Sequence, residues 1–199
     1  MTALGGRARL LGLLGVLVLL SGALFFSTRD RAAGGRRAGE DPALAAARVA
    51  AALPACPQGL TTDLPAQVLP CYAGGPGVQV SAAPGRPTVV NLWATWCGPC
   101  VDEVPELVRF AAEAGDRVGV VGVVHEDSPE SVYAFARQFG INYPLVRDDA
   151  GGVLRRYGAG PPRTLLVAAD GTVAYVKVGA FRSVAQLEDA VATHLGVRL

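Results

Sequence analysis

Two cysteines stand two residues apart in Trp96-Cys97-Gly98-Pro99-Cys100. Thiols at that spacing close a small ring, and they exchange electrons with another protein's cysteine pair through a mixed disulfide. Zinc sites use the same spacing, so the flanking residues decide between the two. An apolar run, Thr88 to Ala94, leads into the pair with strand character, and a helix-like run follows it. The pair therefore lies where a strand gives way to a helix. A helix start aims unpaired N–H groups and its positive dipole end at the first sulfur, which favours thiolate over thiol. Cys97 is the expected attacking residue. Cys100, one turn further in, is expected to be buried and to resolve the mixed disulfide by attacking Cys97. An inert disulfide or half a zinc site needs no such setting, and Cys56 with Cys71 does not have zinc-knuckle spacing. Metal and cofactor are expected to be absent.

The elements that must hold this pair alternate from Gly77 onward. Val78 to Val80 and Pro87 to Ala94 read as strands joined by the turn Ala83-Pro84-Gly85-Arg86. Cys97 to Ala114 reads as a helix with Val104, Leu107, Val108 and Ala111 on one face and Pro105 as a kink. Arg117 to Val124 is a β-branched run suited to a strand buried on both faces. Ser128-Pro129 opens a capped helix, a short strand follows at Pro144 to Arg147, and Thr164 to Val178 reads as a hairpin turning at Asp170-Gly171. Ser183 to Leu195 closes as a helix. The expected class is α/β, a mixed central β-sheet with helices on both faces.

The 199 residues carry a formal net charge of +1 and are 51% hydrophobic, which allows one full-sized core and gives no electrostatic reason to expect nucleic acid as a partner. Among 18 basic residues only Lys177 is lysine, as in the coding of a GC-rich, actinobacterial type of genome. Leu10 to Phe26 runs 17 residues without charge, the lower limit for a membrane-crossing helix, with Arg7 and Arg9 ahead of it. It is an anchor or a signal peptide. No A-x-A-like cleavage site follows Phe26, so the uncleaved anchor is favoured. Arg29, Arg31, Arg36 and Arg37 beyond the segment argue for a cytoplasmic domain. Cys56 and Cys71, in a proline-dense stretch, argue for a structural disulfide and hence an extracytoplasmic domain, and they outweigh the arginines. Residues 1–26 are thus read as anchor or signal, 27–53 as a flexible tether with a short helix from Asp41-Pro42, and 54–199 as the folded domain.

Asn91 to Leu107, N-L-W-A-T-W-C-G-P-C-V-D-E-V-P-E-L, resembles the thioredoxin superfamily and more narrowly its membrane-anchored TlpA/ResA/DsbE-like branch. His125 to Ser128, Tyr143 to Asp149 with Gly151, and Gly160-Pro161-Pro162-Arg163-Thr164-Leu165 extend the likeness over about Gly77 to Leu195. The resemblance implies a thioredoxin-like fold and a cis proline beside the dithiol, at Pro162. The backbone ahead of that proline would pair with an extended substrate segment. Pro161 and Arg163 depart from the usual residues there, and a Pro-Pro bond removes a donor. Trp96, Gly98, Pro99, Pro161 and Arg163 are the candidate substrate contacts. Thioredoxins supply a buried carboxylate from the strand before the motif; here Asn91 holds that place and cannot take a proton. Glu103 matches the branch's glutamate and is the candidate proton acceptor for Cys100, while a solvated helix glutamate is the plainer reading.

The function expected is disulfide exchange with cysteine pairs of protein substrates. The Gly-Pro dipeptide and the branch point to a reductant, for example of apocytochrome c haem-binding cysteines, fed by a membrane electron donor such as a CcdA/DsbD-like protein; an oxidase of secreted proteins is the alternative. A peroxiredoxin-like peroxidase needs threonine three residues before its cysteine, where Ala94 stands. A copper-delivery module resembling SCO proteins needs a C-x-x-x-C pair and a histidine, and the spacing here is one residue short. His125 and His194 show no partner in sequence and are expected to be structural or exposed.

Overall fold

The computed structural model describes residues 41–199. The anchor or signal segment Leu10 to Phe26, and the tether up to Glu40, lie outside the described residues. Among the described residues no helix is long and apolar enough to cross a membrane.

Five strands form the central sheet in the order β5-β4-β3-β6-β7. They are β3 (Thr88–Trp93), β4 (Gly119–His125), β5 (Leu145–Asp148), β6 (Arg163–Val167) and β7 (Val173–Val178). β3 pairs in parallel with β4, and β4 with β5, whereas β3–β6 and β6–β7 are antiparallel. The sheet is therefore mixed. Every residue of β3 is buried, because its odd and even positions face two separate apolar layers. Val89 and Trp93 pack under the helices α2 (Gly98–Ala114), α3 (Pro129–Phe139) and α5 (Val184–Leu195). Val90 and Leu92 pack on the other side with Leu60, Leu64 and the short helix α4 (Gly152–Tyr157). These neighbours match the expected layered α/β class, with helices on both faces of the sheet.

The helix boundaries follow local chemistry. Ser128 caps α3 by accepting from Ser131 N at 3.1 Å, Pro129 fills the first turn, and Gly140 ends the helix in the left-handed region at φ 63°. Ser183 caps α5 in the same way through Gln186 N. α2 runs unbroken past Pro105, which stands inside it.

Four elements, α1, β1, β2 and α4, differ from the sequence reading. The helix placed in a tether, α1 (Pro42–Ala51), contributes Leu44, Ala47 and Ala51 to the core, and the compact unit runs from Pro42 to Leu199. The unit thus begins at residue 42 rather than 54. Val78–Gln79 (β2) does not join the main sheet: it pairs with β1 (Val68–Leu69), which is too short to show alternation. α4 is only six residues long and also escapes a periodicity argument.

Cys56 and Cys71 are joined, with Cα atoms 6.0 Å apart. The bridge holds the segment before β1 and the residues after it against the sheet edge: Tyr72 N donates to Leu145 O and Arg147 N to Pro70 O, each at 2.9 Å. Closing a loop of this length stabilises by about 3 kcal/mol in the chain-entropy model. Replacing both cysteines with serine is expected to lower the melting temperature by roughly 6–12 °C for a domain of this size while leaving disulfide turnover largely intact. Calorimetry beside an insulin-reduction assay checks this, and an equal loss of turnover in still-folded protein would make the bridge a redox relay.

Candidate active site

β3 delivers the chain to the cysteines, and the turn between β3 and α2 is pinned from two sides. Thr95 N donates to Asp127 Oδ2 at 2.7 Å, and Cys97 N donates to Ala94 O at 3.2 Å. Asp127 accepts a second bond from Ser128 N at 2.8 Å, so one carboxylate couples the cysteine turn to the start of α3. Asp127 had no role assigned from sequence; the signal was an acidic residue directly before a Ser-Pro cap.

Cys97 is the N-cap residue of α2, in extended backbone at φ −89° and ψ 103°. Its carbonyl accepts from Cys100 N and Val101 N at 3.0 and 3.2 Å, which starts the helix at this residue and sets the sulfur at its positive end. Cys97 and Cys100 form a disulfide with Cα atoms 5.2 Å apart. Gly98 and Pro99 between them are exposed, Cys97 retains 6% exposure and Cys100 only 1%. The pair is thus graded, with Cys97 less deeply buried than Cys100. Such a ring opens by thiolate attack at the outer sulfur.

Glu103 is fully buried on the same helix face as Cys100. Its Oε1 accepts from Phe181 N at 2.8 Å and its Oε2 from Asn91 Nδ2 at 2.9 Å. Asn91 also donates to Thr164 Oγ1 at 3.1 Å, joining β3, α2 and β6 through one amide. Burial pushes the Glu103 carboxyl up from its usual range, and the bonds from Phe181 N and Asn91 hold it back in part. The solvated reading of Glu103 does not fit this position. Asn91, although unable to ionise, points its amide at the carboxylate that supplies the charge from the neighbouring helix. That encounter depends on how α2 lies across β3, which no sequence spacing reveals.

The peptide bond Pro161–Pro162 is cis. Pro162 is buried, its carbonyl accepts from Gly179 N at 3.0 Å, and Arg163 after it registers opposite Leu92. The start of β6 and the end of β3 therefore share one sheet end, which brings Pro162 to the side from which the cysteine turn departs. Trp96 and Pro161, the chain neighbours of Cys97 and Pro162, line a groove of about 620 Å³ together with His125, Glu126, Leu154, Arg155 and residues 158–160. Trp96 is 58% exposed; its Nε1 donates to Glu126 O at 3.3 Å and its ring lies edge-on to His125 with centroids 6.1 Å apart. Glu126 sits in the left-handed region at φ 44°, a conformation uncommon outside glycine that turns its carbonyl to the indole. His125 therefore belongs to the groove wall. His194 is exposed and stacks on Tyr175 of β7, with ring centroids 4.1 Å apart.

Comparison with known proteins agrees with this layout. The thiol:disulfide interchange protein CycY of Rhizobium leguminosarum bv. viciae is 32% identical over 118 residues, 58% of this chain and 62% of that protein. The thiol-disulfide oxidoreductase ResA of Bacillus subtilis strain 168 is 32% identical over 107 residues, 53% of this chain and 60% of that protein. The matched stretch thus spans about three fifths of each curated relative. A solved secreted disulfide oxidoreductase of Mycobacterium tuberculosis, described as homologous to E. coli DsbE, superposes with a TM-score of 0.56 at 26% identity, covering 64% of this chain and 95% of that one. The thioredoxin-like fold is shared. The Redoxin family profile matches residues 60–191, well over half of the sequence and all of the dithiol, groove and cis-proline elements, and the chain belongs to that family.

Proposed function

We propose that this protein is a thiol-disulfide oxidoreductase that reduces disulfides in other proteins from the extracytoplasmic side of a membrane. The observation that carries the reading is a cysteine pair at a helix start, Cys97 less deeply buried than Cys100, with a buried carboxylate one turn beyond. In the reduced protein the Cys97 thiolate attacks a substrate disulfide, forming a bond from Cys97 Sγ to one substrate sulfur and releasing the other as thiolate. Cys100 then loses its proton to the Glu103 carboxylate and attacks Cys97 Sγ, closing the ring and releasing the second substrate thiolate. Two electrons pass to the substrate, and the released thiolates take up protons. The cycle needs a dithiol donor to reopen the ring. A membrane protein of the CcdA/DsbD-like kind fits that need, with residues 1–26 as the membrane anchor, and haem-binding cysteine pairs of apocytochrome c are the proposed target.

Support for the reductant direction comes from the Gly98-Pro99 dipeptide and from the resemblance to the ResA branch. Insulin precipitation with dithiothreitol as donor tests the activity: turnover well above dithiothreitol alone is expected, and a rate equal to that background would refute it. The reduction potential tests the direction. A value near that of thioredoxin, about −270 mV, is expected, whereas one near −120 mV would assign the oxidase role.

A further inference from the structure

Against Gly158 of the groove wall stands one cation, Arg163, that the fold leaves without a counter-charge among the described residues. Glu126, the carboxylate of the groove wall, is already shared: its Oε1 lies 3.7 Å from Arg155 Nη1 and 3.8 Å from His125 Nε2. Arg163, directly after Pro162, is part-buried; its backbone pairs within the sheet, but its side chain makes no hydrogen bond or ion pair with any described residue, and its Nε is buried without a partner among them. Its guanidinium packs over Gly158 of the groove wall, where a Cβ would stand 2.6 Å from Cζ; Gly158, at φ 130°, is free to adopt a backbone that other residues rarely take. A part-desolvated planar fork with no anion is suited to a carboxylate, and partial burial strengthens such a pair beyond its value in open water.

The adjoining backbone adds a second reason. Pro161 and Pro162 carry no N–H, so a peptide laid along this loop finds two donors fewer than an ordinary sequence would offer. A side-chain anchor next to the loop makes good part of that loss. We propose that Arg163 is a specificity-determining residue that holds an acidic side chain flanking the substrate cysteine, so that the dithiol selects disulfides set in acidic segments. This assignment rests on the oxidoreductase reading above and names its substrate class.

Two disulfide-closed peptides separate the possibilities: one with two glutamates ahead of its first cysteine, and a twin with two glutamines. The pre-reduced full chain is mixed with each at low ionic strength, and its oxidation is followed by tryptophan fluorescence over a single turnover. The ratio of the two second-order rates is the readout, and loss of folded protein cancels in it. Wild-type protein is expected to favour the glutamate peptide about tenfold, the scale of one charge-assisted hydrogen bond. The ratio is expected to fall close to one in Arg163→Met and to shrink in wild type as salt screens the pair. Equal rates in wild type, or a ratio unchanged in Arg163→Met, would overturn the assignment. No oxidation by either peptide would overturn the oxidoreductase reading itself.

Discussion

Cys97→Ser protein is expected to lose insulin reduction entirely, and Cys100→Ser protein to accumulate as a covalent complex with its target. The two outcomes differ because the two sulfurs differ in place. Cys97 caps α2 and borders the exposed Gly98-Pro99 turn, so its removal leaves no attacking sulfur. Cys100 is 1% exposed and meets a substrate only after Cys97 has captured it; without it, the mixed disulfide has no internal route of escape. Non-reducing gels of each variant with insulin or a cysteine-pair peptide read both results. Trapping by Cys97→Ser rather than Cys100→Ser would reverse the order of attack.

Glu103→Gln is expected to slow resolution on the order of 10²-fold near neutral pH, as removal of a positioned general base does, and to remove one limb of the pH profile. The wild-type sign follows from burial. Glu103 must be ionised to accept the Cys100 proton, and its carboxyl titrates above the ordinary range, so turnover should fall as acidity rises through that raised value. Stability runs the other way. A carboxyl whose folded pKa exceeds its unfolded one contributes fully below the unfolded value and loses that contribution as pH rises through the folded value. Wild-type melting temperature should therefore decline across this window, and that of Glu103→Gln should stay level. The substitution fits the site, because Gln accepts from Phe181 N and its amide meets the Asn91 Oδ1, which has no partner among the described residues, after rotation of the Asn91 amide. Stopped-flow rates of mixed-disulfide decay from pH 4 to 9 check the kinetics. An unchanged profile would leave Glu103 a packing residue.

Local chemistry made much of this protein legible before any coordinates. The Asp170-Gly171 turn, the Ser128-Pro129 and Ser183 caps and the β-branched run into β4 all declare themselves within a few residues, and each forms within a residue or two of its expected bounds. The cysteine pair likewise falls between β3 and α2 because its neighbours have strand and helix character. What stayed hidden depends on contacts distant in sequence. Glu103 meets Phe181 N, 78 residues on, and Asn91 meets Thr164, 73 residues on, so the shared network appears only once three elements pack. Trp96 reaches both His125 and the carbonyl of Glu126, whose left-handed backbone a glutamate does not advertise. α1 looked like part of a tether since its alanines are weakly apolar, and its place in the core comes from docking on its neighbours.

Disulfide exchange at this site depends on Cys97 being ionised in the reduced protein, and the pH dependence of its alkylation by iodoacetamide measures this directly. A midpoint well below the roughly 8.5 of free cysteine is expected, with a rate nearly level from about pH 7 to 9. A rate that climbs about tenfold per pH unit through neutrality toward a midpoint of about 8.5 or higher would contradict it.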